Sequence, residues 1–468
     1  MSENGKKLDF RLGEFGRFIP VIIAIIFIVI AGINQSNVNG YVIAFFVAVI
    51  ASVPFAKKQQ EYGEAVVTGL TRPIFCIISV AVILASIAGK LVSSAGLIHT
   101  LAAFVIKAKF TGGLFAATSF VICCILSMST GTSVGTNIIS FPILFPVGVM
   151  AGVHPGFMAG ALVSGALFGD NLAPISDTTI ASAGSQHADM GGVVRTRVWY
   201  SVPVAIAVFF VELLFAGRGG QIAGEAGADL TPNPLSLVML IAPIVIMILC
   251  FMRKHLIVAL SYGVLSGIIV GLASGLFKFS DIFSYPGGFK VGGIFIDAIT
   301  GSAGTVMMLY GVFALLGIME KSGLVDLVGE KLAKVARGVR GTEVSIVLSV
   351  GIMAWITGVI AVGMVALGDT IIKIGERVGI NKYRRANLMD CGGIALAALV
   401  PWTVHTVLPA QLAASSVEGV SISPTNVLTH NFYSIIMLIM LIIMIVTGYG
   451  RNNNPELSSN AEKAASEE

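Results

Sequence analysis

The chain has 468 residues, of which 56% are hydrophobic and only 12% charged, with a formal net charge of +4 and a mean hydropathy of +0.91. Soluble domains carry roughly 25% charged residues, so a soluble globular protein is excluded, and so small a net charge gives no ground for nucleic-acid binding. The cysteines (Cys76, Cys123, Cys124, Cys250, Cys391) all lie in apolar stretches without metal-ligand spacing and read as small buried hydrophobes.

The first apolar block, Phe18–Ile33, is uninterrupted from Val21 to Ile30. It approaches the ~17–20 residues that cross a ~30 Å hydrocarbon core. No small-residue cleavage site follows it, and the next span begins after a short polar turn, Asn34–Gly40, so it reads as a retained span rather than a signal peptide. Further blocks run Tyr41–Ala56, Ile74–Ala88, Leu114–Met128, Ser201–Ala216, Leu235–Met252, Leu256–Phe277 and Ser434–Gly448. An isolated strand cannot satisfy its backbone in lipid, so the spans are helices.

Lys and Arg collect in cytoplasmic loops. Lys6, Lys7, Arg11 and Arg17 place the N-terminus inside, and Lys57 and Lys58 are inside as well. The segment Lys90–Lys109 then falls outside despite its lysines, Arg195 and Arg197 return inside, and the acidic loop Gly217–Pro234 is outside. Arg253, Lys254 and His255, the stretch Lys321–Arg340, and the cluster Lys382, Arg384, Arg385 are inside. The tail from Arg451 is polar and reads as cytoplasmic and disordered.

A shift of 227 residues superposes the chain on itself without gaps. It carries Gly96-Leu97 onto Gly323-Leu324, Thr130-Gly131 onto Thr357-Gly358, and Gly148, Gly152 and Gly165 onto Gly375, Gly379 and Gly392. It also carries Pro174 onto Pro401, Ser176 onto Thr403 and Thr179 onto Thr406. The Gly96 region falls outside and the Gly323 region inside, so each half makes an odd number of crossings and the halves are inverted. The expected architecture is an all-α polytopic membrane protein: two inverted-topology repeats with interrupted helices and re-entrant segments. The organisation is 1–17 cytoplasmic, 18–216 first repeat, 217–234 external linker, 235–450 second repeat, 451–468 cytoplasmic tail. Such repeats place substrate near the midplane and allow alternating access.

Two polar segments interrupt the first half. Ser127–Asn137 (SMSTGTSVGTN) offers hydroxyls, an amide oxygen and freed carbonyls, a hard-oxygen set suited to Na+; its alternative is close helix packing by small residues. Gly169–Thr179 (GDNLAPISDTT) embeds Asp170 and Asp177 near membrane depth, where a carboxylate costs about 2.5–3.5 kcal/mol or more unless paired or functional. Pro174 breaks the helix there. The alternative is a cytoplasmic loop with an N-cap at Asp177. The matching breaks of the second half, at Thr357-Gly358 and Pro401–Thr406, lack the acids: Asp170 aligns with Ala397, Asn171 with Ala398 and Asp177 with Val404. Trp402, Thr403 and His405 suit an organic group or the lining of a pathway, and His405 reads equally as a core histidine. Asp369 and Asp390 lie close to the basic cytoplasmic cluster, where ion pairing is expected. Gly131–Gly135 matches the nucleophile-elbow pattern, which works at a strand-to-helix turn that this chain lacks. An intramembrane serine hydrolase using Ser133 is thereby a distant alternative.

At TGTSVGT (Thr130–Thr136), FGDNLAPISDTT (Phe168–Thr179) and VPWTVH (Val400–His405) the sequence resembles the NhaC-type sodium/proton antiporter family, part of the wider ion-transporter superfamily of inverted-repeat carriers. The resemblance runs from about Arg17 to Gly450. The third motif departs from the family's commoner form, which has Asn-Thr-Cys after the Trp, and the family also includes a malate/lactate exchanger and sodium-linked amino-acid carriers. It implies helix breaks meeting at a central Na+ site made by Thr132, Ser133, Thr136, Asn137, Asp170, Asn171, Ser176, Asp177, Thr178 and Thr179. It implies a pathway lined by Thr130, Thr357, Trp402, Thr403, His405 and Thr406, in a bacterial inner-membrane protein that forms a homodimer. The expected activity is Na+/H+ antiport, not enzymatic catalysis, with Na+ and H+ as transported ions and no cofactor. Burial favours the protonated carboxyl and a bound cation the ionised one, so one site serves both ions in turn. The alternative is a Na+-coupled carrier of a small organic acid or amino acid.

Overall fold

The computed structural model describes residues 8–34, 36, 38–220, 231–252, 254–288, 290–324, 327, 331, 337–357, 360–417, 420 and 422–452, with the backbone alone at 38, 356, 357 and 362. Lys6 and Lys7, most of the acidic loop, Arg253, much of the 321–340 stretch, Gly358 and the polar tail beyond 452 lie outside the described residues.

Apolar runs bounded by Gly, Pro and Asn become helices, as lipid demands. They are α1 (Ile19–Ile33), α2 (Val38–Ser52), α3 (Gln59–Leu70), α4 (Pro73–Ser94), α5 (Leu97–Lys107), α6 (Gly113–Thr130), α7 (Ser133–Met150), α8 (Pro155–Leu172), α9 (Asp177–Ser185) and α10 (Met190–Phe215). After a 3-10 turn at Pro234–Leu240 come α11 (Ile241–Phe251), α12 (Leu256–Ala273), α13 (Ile294–Lys321), α14 (Gly338–Thr357), α15 (Ile360–Glu376), α16 (Lys382–Ala397), α17 (Val404–Ser416), α18 (Pro424–His430) and α19 (Phe432–Thr447). Among the described residues, 7 helices are long and apolar enough to cross a membrane, or 8 if α18 and α19, bent by 50° at Asn431, form one broken span.

The chain is a polytopic helical membrane protein with one departure from an all-helical reading. Ser284–Gly287 and Lys290–Gly292 pair as an antiparallel hairpin. Gly287, at φ +88°, closes the first strand, and Gly288, at φ +61°, enters the turn between them. Cys76 is exposed on the surface, whereas the other four cysteines are buried as expected.

The shift that carries Gly96 onto Gly323 also repeats the helix boundaries. Ser94 and Lys321 end α4 and α13, Thr130 and Thr357 end α6 and α14, and Ser133 and Ile360 begin α7 and α15. Pro155 and Lys382 begin α8 and α16, and Asp177 and Val404 begin α9 and α17. Gly96, Gly152, Gly323 and Gly379 all sit in the left-handed region, at φ +79°, +80°, +68° and +73°. The two halves therefore share one order of elements.

Packing joins the halves rather than separating them. α13 packs on α2, α3 and α4, α7 on α17, and α9 on α15, while α10 and α16 both meet α19. α6 and α8 approach closely because small residues face each other: a Cβ on Gly165 would lie 2.4 Å from the Phe120 carbonyl oxygen, and one on Gly169 2.4 Å from that of Cys124. Basic residues read as cytoplasmic markers are partly structural. Arg384 and Arg451 both bind the buried Glu343 of α14, at 3.0 and 2.6 Å, and tie α16 to the end of α19.

Candidate cation site

Two helix breaks meet at the site. α6 is capped by Gly131, whose φ of +68° lets the chain turn directly into α7. A Cβ at Gly131 would stand 2.8 Å from Ile175 Cγ1 and 3.1 Å from the Ile175 carbonyl oxygen, so a side chain would push the first break off the second. Left-handed backbone costs a residue with a Cβ about 1–2 kcal/mol. Gly131→Ala is therefore expected to lower thermal stability in detergent by at least about that amount and to impair transport; a wild-type melting curve would show that the breaks need no close approach.

Thr132 caps α7, its hydroxyl oxygen accepting from the Gly135 N–H at 3.3 Å. The Thr136 hydroxyl donates to the Thr132 carbonyl at 2.9 Å and stands 3.1 Å from the Thr130 hydroxyl. The next hydroxyl along, Ser133, donates to Asp170 Oδ2 at 2.7 Å. Asp170 sits in the last turn of α8, and its other oxygen accepts from Ser176 at 2.6 Å across the Ala173–Ser176 break. Ser176, not Asp177, is the N-cap of α9: it accepts from the Thr178 N–H at 3.2 Å. Asp177 is the first residue of that helix, where the N-terminal dipole favours a carboxylate.

These groups face a cavity of about 450 Å³. Thr130, Thr132, Ser133, Asp170, Asp177 and Thr178 line one side, His405 and Ile360 of the second half another, and Lys254 and His255 also lie on its wall. Asp170 is 3% exposed and held by both serines, whereas Asp177 is exposed, and the surface it is exposed on is the cavity wall. The cavity thus presents two carboxylates among hydroxyls.

Behind the cavity is a second acidic centre that sequence reasoning misread. Asp390 does pair, but with Arg197 at 2.5 Å and not with the basic cluster of α16, both partners being fully buried. Arg197, read as a marker of the inner surface, lies in the core. Its guanidinium donates to the Asn171 carbonyl at 2.5 Å, the Thr179 hydroxyl at 2.9 Å and Asn387 Oδ1 at 3.0 Å. It so clamps the residues on both sides of the break to α16. Asn171 and Thr179 face this network, with Ser201 and Tyr433 donating to Asn171 Oδ1 at 2.6 and 3.1 Å. Thr179 and Ser182 each donate to Asp390 at 3.3 Å. Asp369 is exposed.

The remaining sequence candidates divide. Asn137 is buried, its amide oxygen without a partner among the described residues. His405 is 6% exposed at the cavity, with Nδ1 likewise unpartnered. Trp402 donates to the Trp355 carbonyl near the end of α14 at 2.9 Å, while Thr403 donates to that of Ala397 at 2.8 Å and Thr406 to that of Val400 at 2.9 Å, so the latter two satisfy backbone freed at the α16–α17 break. The Thr357 side chain lies outside the described residues. Ser133, the residue of the hydrolase alternative, bonds a carboxylate at a helix-to-helix turn.

The chain is similar in sequence to known transport proteins. Over 309 residues, 62% of this chain and 66% of the relative, the sequence is 24% identical to the Na+/H+ antiporter NhaC of Alkalihalophilus pseudofirmus. Over 435 residues, 88% of this chain and 90% of the relative, it is 23% identical to the malate-2H+/Na+-lactate antiporter of Bacillus subtilis. Among solved structures, the YdaH transporter of Alcanivorax borkumensis aligns over 84% of this chain and 90% of its own, at 15% identity and a TM-score of 0.39, too low to establish a shared fold. The model of the Na+/H+ antiporter family matches residues 14–218 and 222–448, nearly the whole length, and the chain belongs to that family.

Proposed function

We propose that the chain is a secondary transporter exchanging Na+ for H+ by alternating access, with Asp170 and Asp177 as the shared site. The observation that carries this reading is the placement of both carboxylates on one cavity, among the hydroxyls of Thr132, Ser133, Ser176 and Thr178. Hard oxygens suit Na+, and a carboxylate holding a proton cannot at the same time neutralise a cation, so the two ions exclude one another. Asn137 belongs to the same proposal through its free amide oxygen. Asn171 and Thr179, held by Arg197, act on the site by fixing the break.

In this reading the halves 18–216 and 235–450 are oppositely oriented, both termini are cytoplasmic, and the protein is a homodimer in a bacterial inner membrane. The cavity is then open to the cytoplasm, because Lys254 and His255 line it. A second reading is favoured by one observation. His405 offers an unpartnered ring nitrogen to a cavity of about 450 Å³, far larger than a bare cation requires, and one relative is named for malate and lactate.

Purified protein in proteoliposomes with an imposed pH gradient tests both. Na+, but not K+, is expected to dissipate the gradient without any organic solute. Dissipation that requires malate, lactate or another organic solute would replace the first reading by the second, and no response to Na+ in either case would reject both.

A further inference from the structure

A second cavity, of about 420 Å³, lies at the far ends of helices that line the first. α4 contributes Ile74, Ile77 and Ile78 to the carboxylate cavity and Ser86, Lys90 and Ser93 to this one. α17 contributes Val404 and His405 to the former and Gln411, Ser415 and Ser416 to the latter. The remaining wall comes from α13, through Asp297 and Gly301, and from Pro142 of α7. From Ile78 to Ser86 is only about 12 Å along the helix axis at 1.5 Å per residue. The two cavities therefore approach one another from opposite ends of the same two helices.

The stretch between them is not a plain apolar plug. Thr305 follows Gly301 by one turn on the same face of α13, and its buried hydroxyl has no partner among the described residues. Ser79 precedes Ser86 by two turns on one face of α4, and its hydroxyl is also unpartnered. His405 Nδ1 ends the series at the first cavity. Buried polar groups are ordinarily hydrogen-bonded, and each exception calls for a reason. Three such atoms, on the three helices α4, α13 and α17 that line the second cavity, two of which also line the first, mark a lane for a polar solute.

We infer that the second cavity is the opposite mouth of the same path and receives hydrated Na+, with Asp297 as the first carboxylate the ion meets and Ser79 and Thr305 as oxygens along the way. This rests on the reading of the first cavity as a Na+ site. At roughly 30 Å³ per water molecule the cavity accommodates a cation together with its hydration shell. Lys90 on the same wall opposes accumulation of cations and sets the mouth's potential against Asp297.

The test uses charge and sidedness. Asp297→Asn is expected to raise the Na+ concentration for half-maximal transport from that face by about two- to fivefold, and Lys90→Gln to lower it by a similar factor, the size of one unit charge acting through water-rich surroundings. In a background with the native cysteines replaced, Ser86→Cys and Ser415→Cys are expected to react with an impermeant methanethiosulfonate from the membrane face opposite to that which labels Ser129→Cys, whose native serine lines the first cavity, and to lose transport on reaction. Labelling from the same face as Ser129→Cys, or labelling with full transport retained, would overturn the inference. Sidedness is read without any ion assay, so it stands or falls separately from Na+/H+ exchange. If the unmodified protein proves to carry another solute, block of that flux decides the same point.

Discussion

Asp177→Asn is expected to abolish Na+-driven proton movement in everted vesicles while leaving membrane insertion and thermal stability close to wild type. The substitution keeps the size of the side chain and one oxygen but removes the charge proposed to attract Na+ and the group proposed to carry the proton. A unit-charge pair at 4 Å and an effective permittivity near 20 is worth about 4 kcal/mol, a factor of roughly a thousand in affinity. Asp177 lies on the cavity wall and, among the described residues, its carboxylate bonds no other helix, so the expected loss is functional rather than structural. Asp170→Asn is expected to abolish transport as well, but with a fall in stability, because Asp170 accepts from serines on both breaks. Near-normal transport by Asp177→Asn would place that residue outside the ion path.

Arg197→Met is expected to be the most destabilising single change in the transport core. It strands the Asp390 carboxylate, fully buried, without its counterion, and removal of one partner from such a pair costs about 3–5 kcal/mol. It also frees the Asn171 carbonyl and the Thr179 hydroxyl, the two anchors that hold the break to α16. The double variant Arg197→Met with Asp390→Leu is expected to recover much of the stability, since no buried charge remains, without recovering transport, since the break is no longer clamped. Thermal unfolding in detergent reads the first effect and vesicle transport the second. If Arg197→Met melts with the wild type, the pair does not hold the fold.

The sequence exposed those features that act along the chain. Long apolar blocks named the solvent, and glycines and prolines at one shift named the repeat, which the helix boundaries follow from Ser94/Lys321 to Asp177/Val404. Asp170 and Asp177 were legible because a carboxylate inside an apolar block has few structural uses. What was not legible acts across the chain. Arg197 lies near the start of a helix that follows a turn, where counting basic residues takes it for a surface marker, and only the fold reveals that Asp390 of the other half stands against it. The cluster Arg384, Arg451 and Glu343 hid for the same reason. Asn171 and Thr179 share the motif of the cavity residues, yet the helix turns them to the opposite face, toward the ion pair. Two strands, SYPG and KVG, of four and three residues, carry too short a period to stand out in a chain dominated by helices.

The claim that Na+ and protons compete for one pair of carboxylates is tested most directly by the apparent Na+ affinity of the reconstituted protein as a function of pH. Protonation of the site excludes Na+, so raising the pH removes a competitor and tightens apparent binding. Over the range in which the site is mostly protonated, the account predicts a gain of about tenfold per pH unit for each proton displaced, levelling off once the carboxylates are ionised. The maximal rate should remain reachable at acid pH if enough Na+ is supplied. An apparent Na+ affinity that is independent of pH, with only the maximal rate changing, would contradict the account and require a proton site separate from Asp170 and Asp177.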